Sequence, residues 1–457
     1  MRIRLDIPIT DKELIKCTEA INPENITFDP IEYITTDSRE VRRGDLFIAI
    51  KGEGADGADF TDEAGRLGAV TLSPSRGKRG LIIKDGIKSL ADIAKHYKTK
   101  LKRLKFTIGI TGSVGKSTTK EFASTVISEN FNTARSVGNF NNEIGLPLSL
   151  LSASSGTEVL IAEMGMNSPG EISRLSKILE PDLAIITNIG TSHIGRLGSR
   201  EAIAAAKLEI TDGMRDGKLI IPYGEPLLKC DGALTFSTRC PEADYYLQRS
   251  DERIDLFKGN RWILDSLFRI NEYHLADCLA PALVAAAEIG VPVSAIRNGI
   301  KKIDRDSLRQ RFESVGSLTL YEDYYNAAPE SINAALKYIG GLDDHPCYSA
   351  VLGSVLELGE HSEKIHRRIG AMGARAKCRR LYFFGEWAEA MAEGALERGY
   401  DQSMIEVFKD PDDHASLAEA ICKLSRDGEL ILLKGSRGMR LEKAVDELKR
   451  IIGEGEV

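Results

Sequence analysis

One stretch restricts the fold more than anything else in the chain. GITGSVGKSTT (109–119) follows the β-rich run KFTIGI (105–110) and opens a helical pattern from Lys116 to Ile127. Strand, glycine-rich turn and helix in that order make a phosphate-binding loop. Gly112 and Gly115 let backbone N–H groups approach an anion with no Cβ in the way. The helix N-terminus adds a favourable dipole. Lys116 supplies a point charge for the outer phosphates and Ser117 a hydroxyl for a metal ion. Ser113, Val114 and Thr118 complete the loop. The strict pattern would place glycine at 110, where Ile110 stands between Gly109 and Gly112, so the loop is a variant.

Such a loop sits at the carboxyl end of a parallel strand, and the chain continues with runs that fit a parallel sheet. VLIAEM (159–164), LAIITN (183–188) and KLIIP (218–222) alternate with helical segments. EYHLADCLAPALVAAAEIG (272–290) reads as an Ala-rich helix kinked at Pro281. A second alternating series has strands LTLYED (318–323), SAVLG (349–353), RLYFFG (380–385) and ELILLK (429–434). Ahead of the loop, DLFIAI (45–50) reads as a strand ending at Lys51-Gly52, and LADIAKHYKTKLKRLK (90–105) as a helix closing a first unit. At 457 residues the chain is too long for one core. The expected fold class is therefore α/β with three domains. These are an N-terminal α/β domain over 1–104, a central P-loop domain with a mostly parallel sheet over 105–304, and a C-terminal Rossmann-like domain over 305–457.

A formal net charge of -7 gives no global attraction for nucleic acid or an anionic membrane. No stretch approaches the roughly 20 apolar residues of a membrane span. The N-terminal MRIRLDIPITDKELIK lacks the apolar segment of a signal peptide. The cysteines at 17, 230, 240, 278, 347, 378 and 422 form no C-x-x-C pair and read as reduced thiols of a cytoplasmic protein.

Outside the loop the chemistry is less explicit. Glu163 ends one strand in AEMG and His193 follows another in TNIGTSH. Ligands of parallel sheets bind beyond the carboxyl ends of strands, which puts both near the phosphates. Spacing alone nevertheless favours solvated or structural roles for them, and reads Lys207 in REAIAAAKLEI as part of a solvated helix face. Asn139, Asn141 and Asn142 in SVGNFNNEIGLP form a polar turn that binds a polar ligand or simply holds a loop. TTDSREVRRGDLFIAIKG (35–52) carries Ser38, Arg39 and Lys51, which suit a diphosphate or a plain solvated turn. KGSRGMR (434–440) ends the final strand with Arg437 and Arg440, whose forked donors suit a carboxylate. Ion pairs inside the domain are an equal alternative for them. Asn326 follows another strand of that series and would share the crevice.

Six segments taken together resemble the Mur ligases: DSREVRRGDLFIAIKG, TGSVGKSTTKEF, GNFNNEIGLPLSLL, EMGMNSPGEISRLSKILEPDLAIITNIGTSHIGRLGSRE, LGSVLELGEHSEKIH and LLKGSRGMRLEKAV. They occur in the right order and cover nearly the whole chain. The resemblance implies an ATP- and Mg²⁺-dependent amide ligase. More narrowly, it implies the activity that adds D-alanyl-D-alanine to UDP-N-acetylmuramoyl-tripeptide through an acyl phosphate, in peptidoglycan precursor synthesis. It sets Ser38, Arg39 and Lys51 at the UDP moiety, and Asn139, Asn141 and Asn142 beside the muramoyl peptide. It sets Ser117, Glu163, His193 and a carbamylated Lys207 at Mg²⁺, with Lys116, Lys207 and His193 in catalytic roles. His274 and Asn326 fall on the nucleotide side, and the dipeptide falls to Arg437 or Arg440. The partners implied are small molecules only, for a monomer without nucleic acid or membrane span.

The sequence departs from the family at Ala58 (His is usual), Leu275 and Cys278 (Asn), Ala328 (Asn) and Ser354 (Asp). These departures spare the phosphate and metal residues. They keep open a ligase of the same kind with a different carboxylate or amine. A P-loop kinase or nucleotide switch does not account for KGSRGMR, and a nucleotide binder without turnover does not account for Lys116, Ser117, Glu163 and His193 together.

Overall fold

Three β-sheets covered by helices organise the chain. The computed structural model describes all residues except 24, 53, 76–78, 251, 269, 271–272, 304–310, 343–346 and 455–457. The expected boundary at 304/305 therefore lies outside the described residues.

The first sheet runs in the order Arg2–Ile9, Ile31–Thr35, Leu46–Ile48, Val70–Ser73, Gly80–Ile82, and only its first pair is antiparallel. The helix Gly86–Lys100 follows, capped by Asp85 and burying Leu90, Ile93, Ala94 and Tyr97 on one face. The Tyr97 hydroxyl donates to the Ala153 carbonyl at 2.8 Å. Leu90 and Tyr97 belong to the same apolar cluster as Leu146 and Leu150, so the core runs across residues 104 and 105.

The central sheet has nine strands. From one edge they are Arg261–Leu267, Arg253–Lys258, Tyr245–Arg249, Leu234–Ser237, Lys218–Pro222, Leu183–Ile186, Phe106–Thr111, Val159–Glu163 and Thr133–Arg135. The pairs around Arg253–Lys258 are antiparallel and the rest parallel. Every residue of Val159–Glu163 and Leu183–Ile186 is buried, as befits strands covered on both faces. The antiparallel extension was not expected from sequence. In it Ile254, Leu256 and Leu264 turn inward while Arg253, Arg261 and Trp262 face solvent, so its apolar signal is diluted by half. The helix Tyr273–Glu288 contains Pro281 without ending there, and it packs on the helix Lys116–Ile127.

The third sheet has the order Arg311–Val315, Leu318–Glu322, Leu430–Lys434, Tyr348–Gly353, Leu381–Phe384, Ile405–Phe408, antiparallel only at its first pair. Its strand ends meet the loop after Leu183–Ile186, where Thr191 contacts Glu330 and His193 contacts Glu357. The carboxyl ends of parallel strands in two mixed sheets thus border one cleft. Among the described residues no helix is long and apolar enough to cross a membrane, and all seven cysteines are free.

Candidate active site

The glycine-rich loop is clamped by the strand end beside it. Thr187 Oγ1 donates to the Val114 carbonyl at 2.6 Å, and Asn188 Nδ2 to the same oxygen at 2.9 Å. Asn188 Oδ1 accepts from Val114 N–H at 3.1 Å, and Ser113 Oγ accepts from Gly190 N–H at 2.9 Å. A Cβ at Gly112 would collide with Thr187 Oγ1, so only glycine fits there. Gly115, at φ 82°, caps the helix Lys116–Ile127. Lys116 Nζ folds back to the Gly112 carbonyl at 2.8 Å, over the loop that would cradle phosphates.

Glu163 is 3% exposed, which corrects its reading as a solvated residue. Its Oε2 accepts from Ser117 Oγ at 2.6 Å and its Oε1 from Asn141 Nδ2 at 2.9 Å. The buried Lys120, one turn beyond Lys116, donates to the carbonyls of Ser136 at 2.8 Å and Gly138 at 3.2 Å. It thereby ties the loop of Asn139–Asn142 to the phosphate-loop helix. Within that loop the three amides divide. Asn141 joins Glu163, Asn142 Oδ1 accepts from Gly145 N–H at 2.8 Å at the start of a helix, and Asn139 takes part through its main-chain carbonyl, which accepts from Asn141 N–H at 2.7 Å.

Lys207 is 2% exposed, against the solvated helix face read from spacing. Its helix, Arg200–Leu208, turns Ile203, Ala204, Ala206 and Lys207 inward together, and an Ala-rich helix hides which face is buried. No ion pair reaches Lys207 among the described residues. Burial pushes its ammonium well below the ordinary lysine value, and the charge of Lys116 adds to the shift. His193, at φ 66°, sits with Nδ1 2.8 Å from Glu357 Oε2. Burial lowers the pKa of its imidazole, Glu357 opposes that, and Lys207 and Lys116 add to it. Lys116, Lys207 and His193 therefore sense one another, and both shifts favour neutral Lys207 and His193 beside the charge of Lys116.

Among the described residues no group of three or more His, Cys, Asp or Glu forms a metal cage. Ser117 and Glu163 instead offer adjacent oxygens beside the phosphate loop. That donor set fits Mg²⁺, which takes few protein oxygens and completes its shell with water and phosphate.

The outlying candidates fall on both sides of this centre. Ser38 and Arg39 share one turn, and Arg39 opens on a cavity of 380 Å³ that Arg2 and Arg42 also line. The Arg39 fork rests on its neighbour Asp37 at 2.9 and 2.7 Å, while Lys51 is exposed. In the C-terminal sheet the buried Lys434 pairs with Asp323 Oδ2 at 2.9 Å and donates to the Asn326 carbonyl at 3.0 Å, locking two strand ends together. The Asn326 side chain stays at the surface, accepting from Ala327 N–H at 2.9 Å. Arg437 lies 3.3 Å from Glu442, and Arg440 pairs with Asp412. Both arginines thus stand beyond the final strand in ion pairs inside the C-terminal unit. His274 sets its ring edge against Tyr338. Leu275 and Cys278 join the core, Cys278 against Gly115, and burial raises the Cys278 thiol to about 12. Ser354 is buried and accepts from Trp387 N–H at 3.1 Å.

Sequence reasoning missed Thr187, Asn188, Lys120, Glu330 and Glu357. Only Lys120 carried a signal, as a lone cation among the apolar positions Phe122, Ala123 and Val126 of its helix.

Comparison with known proteins agrees along the whole chain. Residues 30–98 match the signature "Mur ligase family, catalytic domain", residues 110–259 "Mur ligase middle domain", and residues 310–437 "Mur ligase, glutamate ligase domain". The chain is 34% identical over 455 residues to the UDP-N-acetylmuramoyl-tripeptide--D-alanyl-D-alanine ligase of Bacillus subtilis, covering 95% of this chain and 96% of that protein. The Treponema pallidum enzyme of the same name is also 34% identical, over 93% of this chain and 94% of its own. Among solved structures, MurF from Acinetobacter baumannii superposes with a TM-score of 0.88 at 26% identity, covering 98% of this chain and 100% of that one. MurF from Thermotoga maritima in complex with ADP gives 0.78 at 26% identity, covering 92% and 98%.

Proposed function

Because the chain belongs to the Mur ligase family, we infer that it is the ATP-dependent C–N ligase joining D-alanyl-D-alanine to UDP-N-acetylmuramoyl-tripeptide in peptidoglycan precursor synthesis. The observation that carries this reading to the level of residues is the contact of Ser117 with a buried Glu163 beside a clamped phosphate loop.

In the reaction, a carboxylate oxygen of the tripeptide attacks the γ-phosphorus of ATP, giving an acyl phosphate and ADP. The dipeptide amine then attacks the acyl carbon, phosphate leaves, and the amine loses a proton. Backbone N–H groups from Gly115 to Thr118, with Lys116, draw the β- and γ-phosphates onto the helix N-terminus. Bound Mg²⁺ would neutralise charge on those phosphates, held by Ser117 and Glu163 with His193 and a carbamylated Lys207. The depressed basicity of Lys207 supports the carbamate. A neutral Nζ attacks CO₂, an N–C bond forms as one C–O π bond opens onto oxygen, a proton leaves nitrogen, and the buried neutral amine becomes an anionic oxygen donor.

The cavity lined by Arg39 supports binding of the UDP diphosphate there, and in this reading Ser38 and Lys51 join Arg39. Asn139 and Asn141 face the muramoyl peptide in this reading, while Asn142 shapes their loop. His274 and Asn326 border the nucleotide, and Arg437 or Arg440 receives the dipeptide carboxylate. The enzyme so assembled acts as a cytoplasmic monomer.

Incubation with ATP, Mg²⁺, UDP-N-acetylmuramoyl-tripeptide and D-alanyl-D-alanine should give one phosphate per ligated product, read by colorimetry and mass. Refusal of D-alanyl-D-alanine with acceptance of other amines would leave the family intact and remove the substrate assignment.

A further inference from the structure

The C-terminal unit reaches back onto the loop that carries His193. Thr191 Oγ1 donates to Glu330 Oε1 at 3.1 Å. Glu357 makes three contacts: its Oε2 lies 2.8 Å from His193 Nδ1, its Oε1 3.5 Å from Arg196, and its carbonyl accepts from Gly195 N–H at 3.2 Å. A Cβ at Gly195 would collide with the backbone of Glu357, Leu358 and Gly359, so the two loops touch chain to chain. His193 and Glu357 both hold positive φ, 66° and 65°, a conformation disfavoured for residues with side chains. Two such residues facing each other point to a contact that their surroundings enforce.

We propose that Glu357 is a positioning residue for His193, so that docking of the C-terminal unit completes the metal-facing side of the central site. The inference rests on the functional reading above only for the place of His193 at the metal.

A proton on Nδ1 is the state in which this 2.8 Å contact with a carboxylate oxygen is attractive and can close into a hydrogen bond. Nε2 then keeps its lone pair for a metal ion or its bound water. The approach is oblique and not in line, which leaves the contact room to tighten. The pair is partly exposed, at 25% and 38%, so its worth to stability is small and orientation is its use. Carboxylates that accept the second ring N–H of a metal-binding histidine commonly govern metal affinity about 10- to 100-fold.

Two readouts test this in the intact protein. Histidine-selective ¹⁵N spectra, with the His193 signal assigned through His193→Gln, should report the Nδ1–H tautomer. In Glu357→Ala the signal should move to the Nε2–H form that free imidazole side chains prefer. Binding of Mn²⁺ with ADP, followed by electron paramagnetic resonance, should weaken about tenfold in Glu357→Ala. Glu357→Gln, whose amide oxygen still accepts, should fall between it and wild type. Arg196→Ala, which removes only the neighbouring ion pair, should bind Mn²⁺ like wild type. Thermal melts will show that the variants fold. An unchanged tautomer or unchanged Mn²⁺ affinity in Glu357→Ala overturns the proposal, as does an equal loss in Arg196→Ala. The ligation assay on wild type stands apart from both readouts, so failure of the substrate reading is told from failure of this one.

Discussion

Ser117 Oγ donates to Glu163 Oε2 across 2.6 Å, joining the first turn of the phosphate-loop helix to the carboxyl end of the neighbouring strand. The pair makes a ready set of oxygen ligands, because hydroxyl and carboxylate need only separate slightly to admit a cation. Glu163→Gln keeps an acceptor for Ser117 and removes the charge. Ligation should fall about 10²-fold or more, with a raised Mg²⁺ requirement and a melting temperature close to wild type. Phosphate release across a Mg²⁺ titration checks this, and wild-type turnover would remove Glu163 from the metal.

Lys116→Ala should lower kcat about 10²-fold or more by removing charge at the transferring phosphoryl group. Its ammonium rests on the Gly112 carbonyl of the phosphate loop, and a melting curve beside the assay separates lost charge from lost fold. Single-turnover phosphate release is the measurement, and near-normal ligation would refute the assignment.

The strand–loop–helix core of this site was legible because its residues are local. Gly112, Gly115, Lys116 and Ser117 lie within six positions of one another, and the observed strand Phe106–Thr111 and helix Lys116–Ile127 match the pattern within a residue. Glu163 and Lys207 were visible but not interpretable from spacing, since burial is a tertiary property. Nothing local distinguishes a strand-end Glu in water from one 3% exposed beneath Ser117. Glu357 was illegible for another reason. Its partner His193 is remote in sequence, and the contact exists only because two sheets present their strand ends to one cleft. The departures at Leu275 and Cys278 are buried, Cys278 against Gly115 of the phosphate loop, and that placement too is a tertiary property.

Lys120 gives a prediction that the sequence did not. Its ammonium holds the carbonyls of Ser136 and Gly138, and so the entry to the Asn139–Asn142 loop. Lys120→Met preserves apolar volume and releases that loop. The KM for the muramoyl substrate should rise several-fold, on the order of tenfold, while the KM for ATP stays near wild type. Initial rates with each substrate varied in turn decide it, and a parallel rise in both KM values would mean general damage to the phosphate loop.

Arg437 is 62% exposed and 3.3 Å from Glu442, a weak tie that an incoming carboxylate can displace. Arg437→Lys keeps the charge and loses the fork. The dipeptide KM should rise about tenfold, consistent with loss of one charge-assisted hydrogen bond, with the ATP KM unchanged. If Arg440→Lys shows that pattern and Arg437→Lys does not, the anchor is Arg440, released from Asp412. If neither does, the dipeptide is held elsewhere.

Lys207 makes a prediction about stability as well as activity. In the unfolded chain it titrates near the ordinary lysine value of about 10.4. In the fold, burial and the charge of Lys116 lower that value. Between the folded and unfolded values the unfolded chain binds more protons, so stability rises with pH across that window and the penalty vanishes above about 10.4. Carbamylation removes the same penalty at neutral pH by consuming the neutral amine. In CO₂-free buffer the melting temperature of wild type should therefore climb toward alkaline pH more steeply than that of Lys207→Met. Added bicarbonate should raise the wild-type melting temperature and leave Lys207→Met unmoved. In parallel, Lys207→Ala should be nearly inactive and regain part of its ligation with formate or acetate, which restore an anionic oxygen at the vacated position. An equal bicarbonate response in wild type and Lys207→Met would exclude the carbamate, and the buried amine would then have to serve the phosphates directly.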